Sequence, residues 1–353
     1  MVGLALPPIH KNLRIRHKYA ILRDVQSSDL FSYEALADLC ARVFPQRPQR
    51  RIEEITPLNS WQHQVASFRL VWWTPMGWAS EVLVARRYRS QLSWWRQDDP
   101  DKSEREVRLL PWLAEQGIPV PRIYAHEDGP MGRIVITAHI AGEPWWARNA
   151  EMAEAIAPYV DEFARLLSII HTLEPPEAIR CVLPTISLIH VLDRMQQTAN
   201  EANDAELLRA TRRLIPLVNK HKELPPCLLH GDYHFANVLL KDDHINGVLD
   251  WEYSALGDPR WDVMNAYVAM VEFNAEAAAK QFLRTYTRYS GLTLEDGSLW
   301  RSVVALQTWA LAAWLSSEVA KGRIYDFPMA DQLITHYHAH RERALRIIAG
   351  EPW

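Results

Sequence analysis

The spacing of apolar residues changes along this chain, and each change predicts a different element. Ser32 to Phe44 places Leu36, Leu39, Cys40 and Val43 on one helical face, with Ser32 at the N-cap position. Val65 to Trp73 and Glu81 to Tyr88 are β-rich runs joined by Thr74-Pro-Met-Gly77, and they predict two strands. Lys102 to Gln116 returns to helical spacing, with Val107, Leu110 and Leu113 toward a core and Gly117 as the stop. Arg133 to Ile140 predicts a further strand, running into Ala141-Gly142-Glu-Pro.

From Glu151 onward the pattern is helical. Glu154 to His171 carries Ile156, Val160, Phe163, Leu167 and Ile170 on one face. His190 to Asn200 and Asp204 to Lys220 predict a helical pair. Pro259 to Tyr289, Asp296 to Lys321 and Pro328 to Ala349 predict three more helices. Short apolar runs interrupt this region at Cys227-Leu-Leu, Val238-Leu-Leu240 and Val248-Leu249. The last two read as a hairpin whose turn contains Asn246-Gly247. The class is therefore α+β. Residues 1–51 are an extension with one helix, 52–140 a strand-rich lobe, and 141–353 a mainly helical lobe. The basic run Pro45-Gln-Arg-Pro-Gln-Arg-Arg51 reads as a solvated linker.

Composition narrows the function classes. At 353 residues two lobes are the natural expectation, and 48% hydrophobic residues supply a core. The net charge of -4, from 39 basic and 43 acidic residues, gives no basis for a nucleic-acid or anionic-membrane partner. Cys40, Cys181 and Cys227 are far apart and odd in number, which suggests reduced thiols in a cytoplasmic protein. The opening Met-Val-Gly-Leu-Ala-Leu-Pro-Pro lacks a basic n-region and does not read as a signal peptide. Val303 to Leu315 is too short to span a bilayer and reads as a buried helix. Most of the fifteen tryptophans read as packing residues.

The chemistry concentrates in His230-Gly-Asp-Tyr-His-Phe-Ala-Asn237 and Leu249-Asp250-Trp-Glu. The hairpin between them would hold Asn237 before its first strand and Asp250 after its second, so both polar ends meet at one edge. Two hard oxygen ligands there suit Mg2+ (or Mn2+), which keeps phosphates and water in its shell. His230 and His234, four apart, have the spacing of half a zinc site, but no third ligand cluster lies at useful spacing. His-x-Asp-x4-Asn followed by a later Asp is the order of a kinase catalytic loop and its metal-binding Asp.

His-Gly-Asp, Asp250-Trp-Glu and Gly257-Asp-Pro-x-x-Asp262 together resemble the aminoglycoside phosphotransferase and choline kinase-like superfamily. The resemblance covers roughly residues 52–270. It implies a bilobal protein-kinase-like fold, with a small strand-rich N-lobe and a large mainly helical C-lobe. It implies Asp232 as the base, expected at the cleft floor facing open space, and Asn237 and Asp250 as metal ligands. Asp262 would tie down the catalytic loop's backbone. His230 would buttress that loop, with His234 in a similar role. Glu252 is either an outer metal ligand or a solvated carboxylate.

The strand ending Leu83-Val-Ala-Arg86 matches the family's phosphate-clamping position, with Arg87 in reserve and only one of the two on the cleft face. Glu106, or Glu104, would hold that arginine. Gly117-Ile-Pro-Val-Pro-Arg122 matches the family's Gly-Val-Pro-Val-Pro. Backbone groups from Thr137 to Ile140, Ala138 and Ile140 among them, would then bind the adenine. The stretch Leu58-Asn-Ser-Trp-Gln-His-Gln-Val65 has no glycine, unlike a kinase nucleotide loop. Asn59 and Ser60 would donate to phosphate there, and Trp61 and His63 would cover the nucleotide.

The expected activity is transfer of the γ-phosphoryl of ATP or GTP to a hydroxyl of a small molecule: an antibiotic, a sugar or an amino alcohol. The alternatives are a catalytically degenerate kinase fold and a protein kinase. The second is disfavoured by the missing Arg in His-Gly-Asp, by Trp251-Glu252 and by the lack of an Ala-Pro-Glu segment. For the acceptor, Glu318, Asp326 and Asp331 are scattered acids, while Trp309, Trp314 and Tyr325 offer an aromatic wall. A neutral or singly charged acceptor is expected over a polycation. His336, His338 and His340 read as a solvated or capping cluster without a carboxylate partner.

Overall fold

A computed structural model of the chain describes residues 31–58, 63–88, 102–129, 132–148, 151–294, 297–321, 338–346 and 349. Helix α1 (Tyr33–Val43) starts where Ser32 accepts the Ala35 N–H at 3.1 Å. Strands β1 (Arg51–Leu58), β2 (Gln64–Thr74), β3 (Gly77–Arg87), β4 (Ile123–Gly129) and β5 (Gly132–Ala138) form an antiparallel sheet in the order β1-β2-β3-β5-β4. Leu36, Leu39, Cys40 and Phe44 pack on Phe68, Leu83, Ala85 and Ile136, so α1 covers one face of the sheet. Alternation along β3 then sends Arg86 to the opposite face, toward helix α2 (Lys102–Glu115).

The basic run after α1 is no solvated linker. The Arg47 guanidinium lies 4.2 Å from the ring centroids of both Phe44 and Trp72, and its Nη2 is 2.8 Å from Glu81. Arg50 donates to the carbonyls of Phe44 at 3.1 Å and Arg47 at 2.6 Å. Arg47 thus serves as a packing group that ties α1 to the sheet, while Arg50 closes the end of α1 through those carbonyls.

The second lobe is helical, but two predicted helices are broken. Pro158 lies where Glu154 to His171 splits into α3 (Met152–Ile156), a 3-10 turn and α4 (Val160–Ile170). All five predicted face residues remain buried. Asn274, at φ 59, separates α8 (Arg260–Glu272) from α9 (Glu276–Ser290) where a single helix was predicted. Between α4 and α8 in sequence lie α5 (Glu177–Arg180), α6 (Leu188–Glu201) and α7 (Ala205–Val218), with α10 (Gly297–Ala320) after α9. Of the last predicted helix, residues 338–346 are described and helical.

Two small antiparallel pairs interrupt the helices. They are β6 (Cys227–Leu229) with β9 (Ala255–Gly257), and β7 (Val238–Lys241) with β8 (His244–Val248). The β7–β8 turn is Asp242-Asp243, because Lys241 pairs with His244 and Asp242 takes φ 51. Asn246-Gly247 lies inside β8. There Asn246 Nδ2 donates to Ala141 O at 2.5 Å. Gly247 lets Ile140 approach, since a Cβ at this position would sit 3.1 Å from Ile140 Cγ2. Glu143 and Leu240 exchange both backbone bonds at 2.9 Å, so the inter-lobe connection is clipped to β7.

The largest core runs through the C-lobe around Phe163, which stacks on Tyr233 and Phe235. Trp309 is fully buried and donates to Asp204 Oδ2 at 3.1 Å, and Trp314 is buried too. Both are packing residues rather than an open aromatic wall. Among the described residues no helix is long and apolar enough to cross a membrane.

Candidate active site

The chain leaves β6 at Leu229 and turns through His230, Gly231 and Asp232. It then makes one 3-10 turn at Phe235–Asn237 and enters β7. His230 is buried. Its Nε2 donates to Leu249 O at 2.9 Å, and its Nδ1 accepts from the Asp232 N–H at 3.2 Å. Burial lowers its proton affinity, which suits a neutral ring with this donor–acceptor pattern. From the first turn of α8, Asp262 accepts from His230 N at 2.7 Å and from Gly231 N at 2.9 Å. The carboxylate therefore ties down the loop backbone as expected.

Asp232 is open on one side, with 40% of its side chain exposed. It is not free of partners. His234 Nε2 lies 3.2 Å from Oδ1, and Asn237 Nδ2 donates to Oδ2 at 3.0 Å and to the Asp232 carbonyl at 2.9 Å. Burial would raise the carboxyl pKa. His234 and the Asn237 donor outweigh it, and the net shift is downward, so Asp232 is ionised at neutral pH. His234 is thus more than a second buttress of the loop.

Leu249 N donates to Asn237 O at 2.8 Å, closing the base of the β7–β8 hairpin and bringing Asn237 and Asp250 to one edge. Asp250 takes the left-handed conformation, φ 61 and ψ 54. Its Oδ1 contacts Arg86 Nη2 across the lobes. Arg86 Nη1 also reaches Glu106, at 3.3 Å to Oε2 and 3.4 Å to Oε1. The register of β3 is therefore as predicted. Arg87 turns elsewhere, with Nη1 3.3 Å from Gln64 Oε1. Glu104 pairs instead with Arg108 at 2.6 Å.

Glu252 is not solvated, and both its oxygens face protein partners. It is buried, contacts His63 Nε2, and accepts from Lys102 Nζ at 3.3 Å. Its carbonyl accepts from Arg105 Nη1, and the neighbouring Trp251 N–H donates to Glu106 Oε1 at 2.9 Å. Burial would raise the Glu252 pKa, but the His63 and Lys102 partners drive it well below the usual carboxylate range. Lys102, Arg105 and Glu106 fall at i, i+3 and i+4, so one face of α2 grips the turn that follows Asp250. That spacing was the available sequence signal for Lys102 and Arg105.

Other expected residues fare differently. Ser60, with Asn59 and Trp61, lies outside the described residues. So do Tyr325, Asp326, Asp331 and His336. His63 does not open toward a nucleotide but packs against Glu252 and the Tyr88 ring, 4.7 Å between centroids. The Ala138 N–H is spent on Arg122 O at 2.8 Å and that of His139 on Val82 O at 3.1 Å. Within the predicted hinge, the Ile140 N–H has no partner among the described residues. Glu318 pairs with Lys321 at 3.3 Å. His340 does have a carboxylate partner: Glu272 lies 3.2 Å from it and 2.8 Å from Arg343.

Solved structures share this architecture. A Ralstonia eutropha JMP134 protein assigned to the aminoglycoside phosphotransferases superposes with a TM-score of 0.64 at 17% identity, over 92% of this chain and 100% of that one. Macrolide 2'-phosphotransferase from Brachybacterium faecium gives 0.55 at 20% identity, over 91% and 99%. A spectinomycin phosphotransferase solved with ADP and spectinomycin gives 0.60 at 12% identity, over 90% and 98%. At these identities the likeness carries the fold. A search of curated proteins returns no match. The sequence pattern of the phosphotransferase enzyme family matches residues 66–303. This chain belongs to the phosphotransferase enzyme family.

Proposed function

We propose that the protein moves the γ-phosphoryl of ATP or GTP to a hydroxyl of a small molecule. One observation carries this reading. Asp232 and Asn237 contact each other on the loop, Asp250 contacts Arg86 and through it Glu106 of the other lobe, and the backbone bond from Leu249 N–H to Asn237 O brings the two groups to one edge of the hairpin. In this reading Asp232 takes the proton of the acceptor hydroxyl, Arg86 clamps the nucleotide phosphates and Glu106 orients Arg86. The Ile140 N–H, without a partner among the described residues, would then be the donor for the base of the nucleotide. The nearness of Asp232, Asn237, Asp250, Arg86 and Glu106 supports an enzyme over a degenerate kinase fold.

The donor set fits a hard divalent cation. Asn237 Nδ2 is spent on Asp232, which leaves Oδ1 without a partner among the described residues, and Asp250 keeps Oδ2 outside the Arg86 contact. Among the described residues no cluster of three or more His, Cys, Asp or Glu side chains could enclose a metal. Mg2+ or Mn2+ would therefore be held by Asn237 and Asp250, with phosphates and water completing its shell. When bound it would offset the charge of the phosphates.

For the acceptor, the reading is a neutral or singly charged molecule. Glu272 acts electrostatically on His234 but is itself engaged by His340 and Arg343. A polycation needs carboxylates without such partners. Three unpaired cysteines support a reducing, cytoplasmic setting.

The test is a transfer assay with ATP and GTP, in the presence of Mg2+, over hydroxylated antibiotics, sugars and amino alcohols. Labelled phosphate on one class of acceptor is the expected result. Nucleotide binding without transfer to any acceptor or to water would return the degenerate fold. Within the same reading, Arg86→Ala weakens ATP binding at least about tenfold, the loss of one charge-assisted contact. Arg87→Ala leaves it within about twofold, because Arg87 faces Gln64. Calorimetric titration of both variants decides this, and the opposite ranking moves the clamp to Arg87.

A further inference from the structure

His234 has no part in the proposal above, yet its imidazole lies against the carboxylate of Asp232. Its Nδ1 accepts from the Ala236 N–H at 3.2 Å, as the cap of the turn Phe235–Asn237. A ring nitrogen that accepts carries no proton, so the neutral ring bears its N–H on Nε2. Nε2 is the atom 3.2 Å from Asp232 Oδ1. On the other side Asn237 Nδ2 donates to Oδ2 at 3.0 Å. Each carboxylate oxygen therefore has one side-chain nitrogen beside it, which limits the rotation of the carboxylate about its last bond. Each oxygen still has a lone pair for an incoming hydroxyl.

We infer that His234 is a positioning residue for Asp232, holding Oδ1 in the plane from which the carboxylate accepts the acceptor's proton. The inference rests on the reading of Asp232 as the base. In the step itself the acceptor oxygen forms a bond to the γ-phosphorus. The bond from that phosphorus to the nucleoside diphosphate breaks, and the hydroxyl proton passes to Asp232. His234 keeps its own proton throughout and touches neither substrate. Its contribution is geometric: a displacement of about 1 Å at a reacting group costs on the order of a hundredfold in rate.

A purely structural role, capping the turn, makes the opposite forecast for two substitutions. His234→Ser keeps an N-cap acceptor for Ala236 but cannot reach Asp232. His234→Gln places an amide N–H near the position of Nε2. Turnover of Mg·ATP is measured with the acceptor found by the transfer assay, or with water, and ATP binding is measured by calorimetry to normalise for folded protein. The Ser variant should lose about ten- to a hundredfold in kcat, with the KM for ATP within about twofold of wild type. The Gln variant should stay within about fivefold of wild type in kcat. A near-wild-type Ser variant beside an impaired Gln variant overturns the inference. So does a loss in the Ser variant that disappears on normalisation. Asp232→Ala runs in parallel. Full turnover there removes the base itself, as does a wild type inert on every acceptor, and these results are distinct from a failure of His234 alone.

Discussion

Asp232→Ala lowers phosphoryl transfer about a thousandfold and leaves nucleotide affinity within about twofold, the pattern of a base that acts on the acceptor. The geometry gives three reasons. The carboxylate is open on one side, with 40% of its side chain exposed. Its pKa is held down against burial by His234 and Asn237, so it is ready to accept a proton at neutral pH. It makes no contact with Arg86, so its removal does not disturb the proposed phosphate clamp. Single-turnover kinetics together with equilibrium nucleotide titration separate the two effects. A variant that kept a tenth or more of wild-type turnover would mean that another group takes the proton.

Gly231→Ala is expected to be among the most damaging single-atom additions in the chain. Gly231 sits at φ +87, where a Cβ is strained in any surroundings. Here the surroundings are closed as well. The new carbon would lie 2.1 Å from the Tyr253 carbonyl oxygen and 2.7 Å from its carbon, both backbone atoms in the turn after Asp250. Neither side yields easily, because Gly231 N is bonded to Asp262 and that turn is gripped by α2. Strain plus overlap should cost more than about 3 kcal/mol, seen as a thermal midpoint lower by several degrees or more. Any folded fraction should be inactive, since the adjacent Asp232 must shift. Gly297→Ala is the control: at the start of α10 nothing lies within 4 Å of its added carbon. Equal midpoints for the two variants would show that the loop and the Tyr253 turn are not packed as described.

The site was legible where its residues are local in sequence. Asp232, Asn237 and Asp250 lie on a loop, a turn and a short hairpin whose apolar runs give away their ends. Arg86 came from the family's basic position, with strand alternation allowing only one of Arg86 and Arg87 to face the cleft. What stayed hidden depends on groups distant in the chain. Glu252 looks solvated until Lys102 and His63, 150 and 189 residues away, are folded onto it. Arg47 looks like linker until Phe44 and Trp72 close on either side of it. Asn246-Gly247 has the strongest hairpin chemistry nearby, yet Asp242 supplies the turn, because β8 needs its glycine where Ile140 comes close. Pro158 and Asn274 broke helices whose apolar faces nevertheless run on, so periodicity alone overstated their length.

The grip of α2 on the turn after Asp250 constrains more than the identity of three side chains. Lys102, Arg105 and Glu106 reach Glu252 and Trp251 because they share one helical phase. Each residue of an α-helix advances about 100° around its axis. Inserting or deleting one residue within the first turn would turn Lys102 away from its partners while Arg105 and Glu106 stayed, splitting the set. The same change beyond Glu106 would leave the set intact and shift only Leu109, Leu110 and Leu113 in the core. The opening turn of α2 is therefore fixed in length.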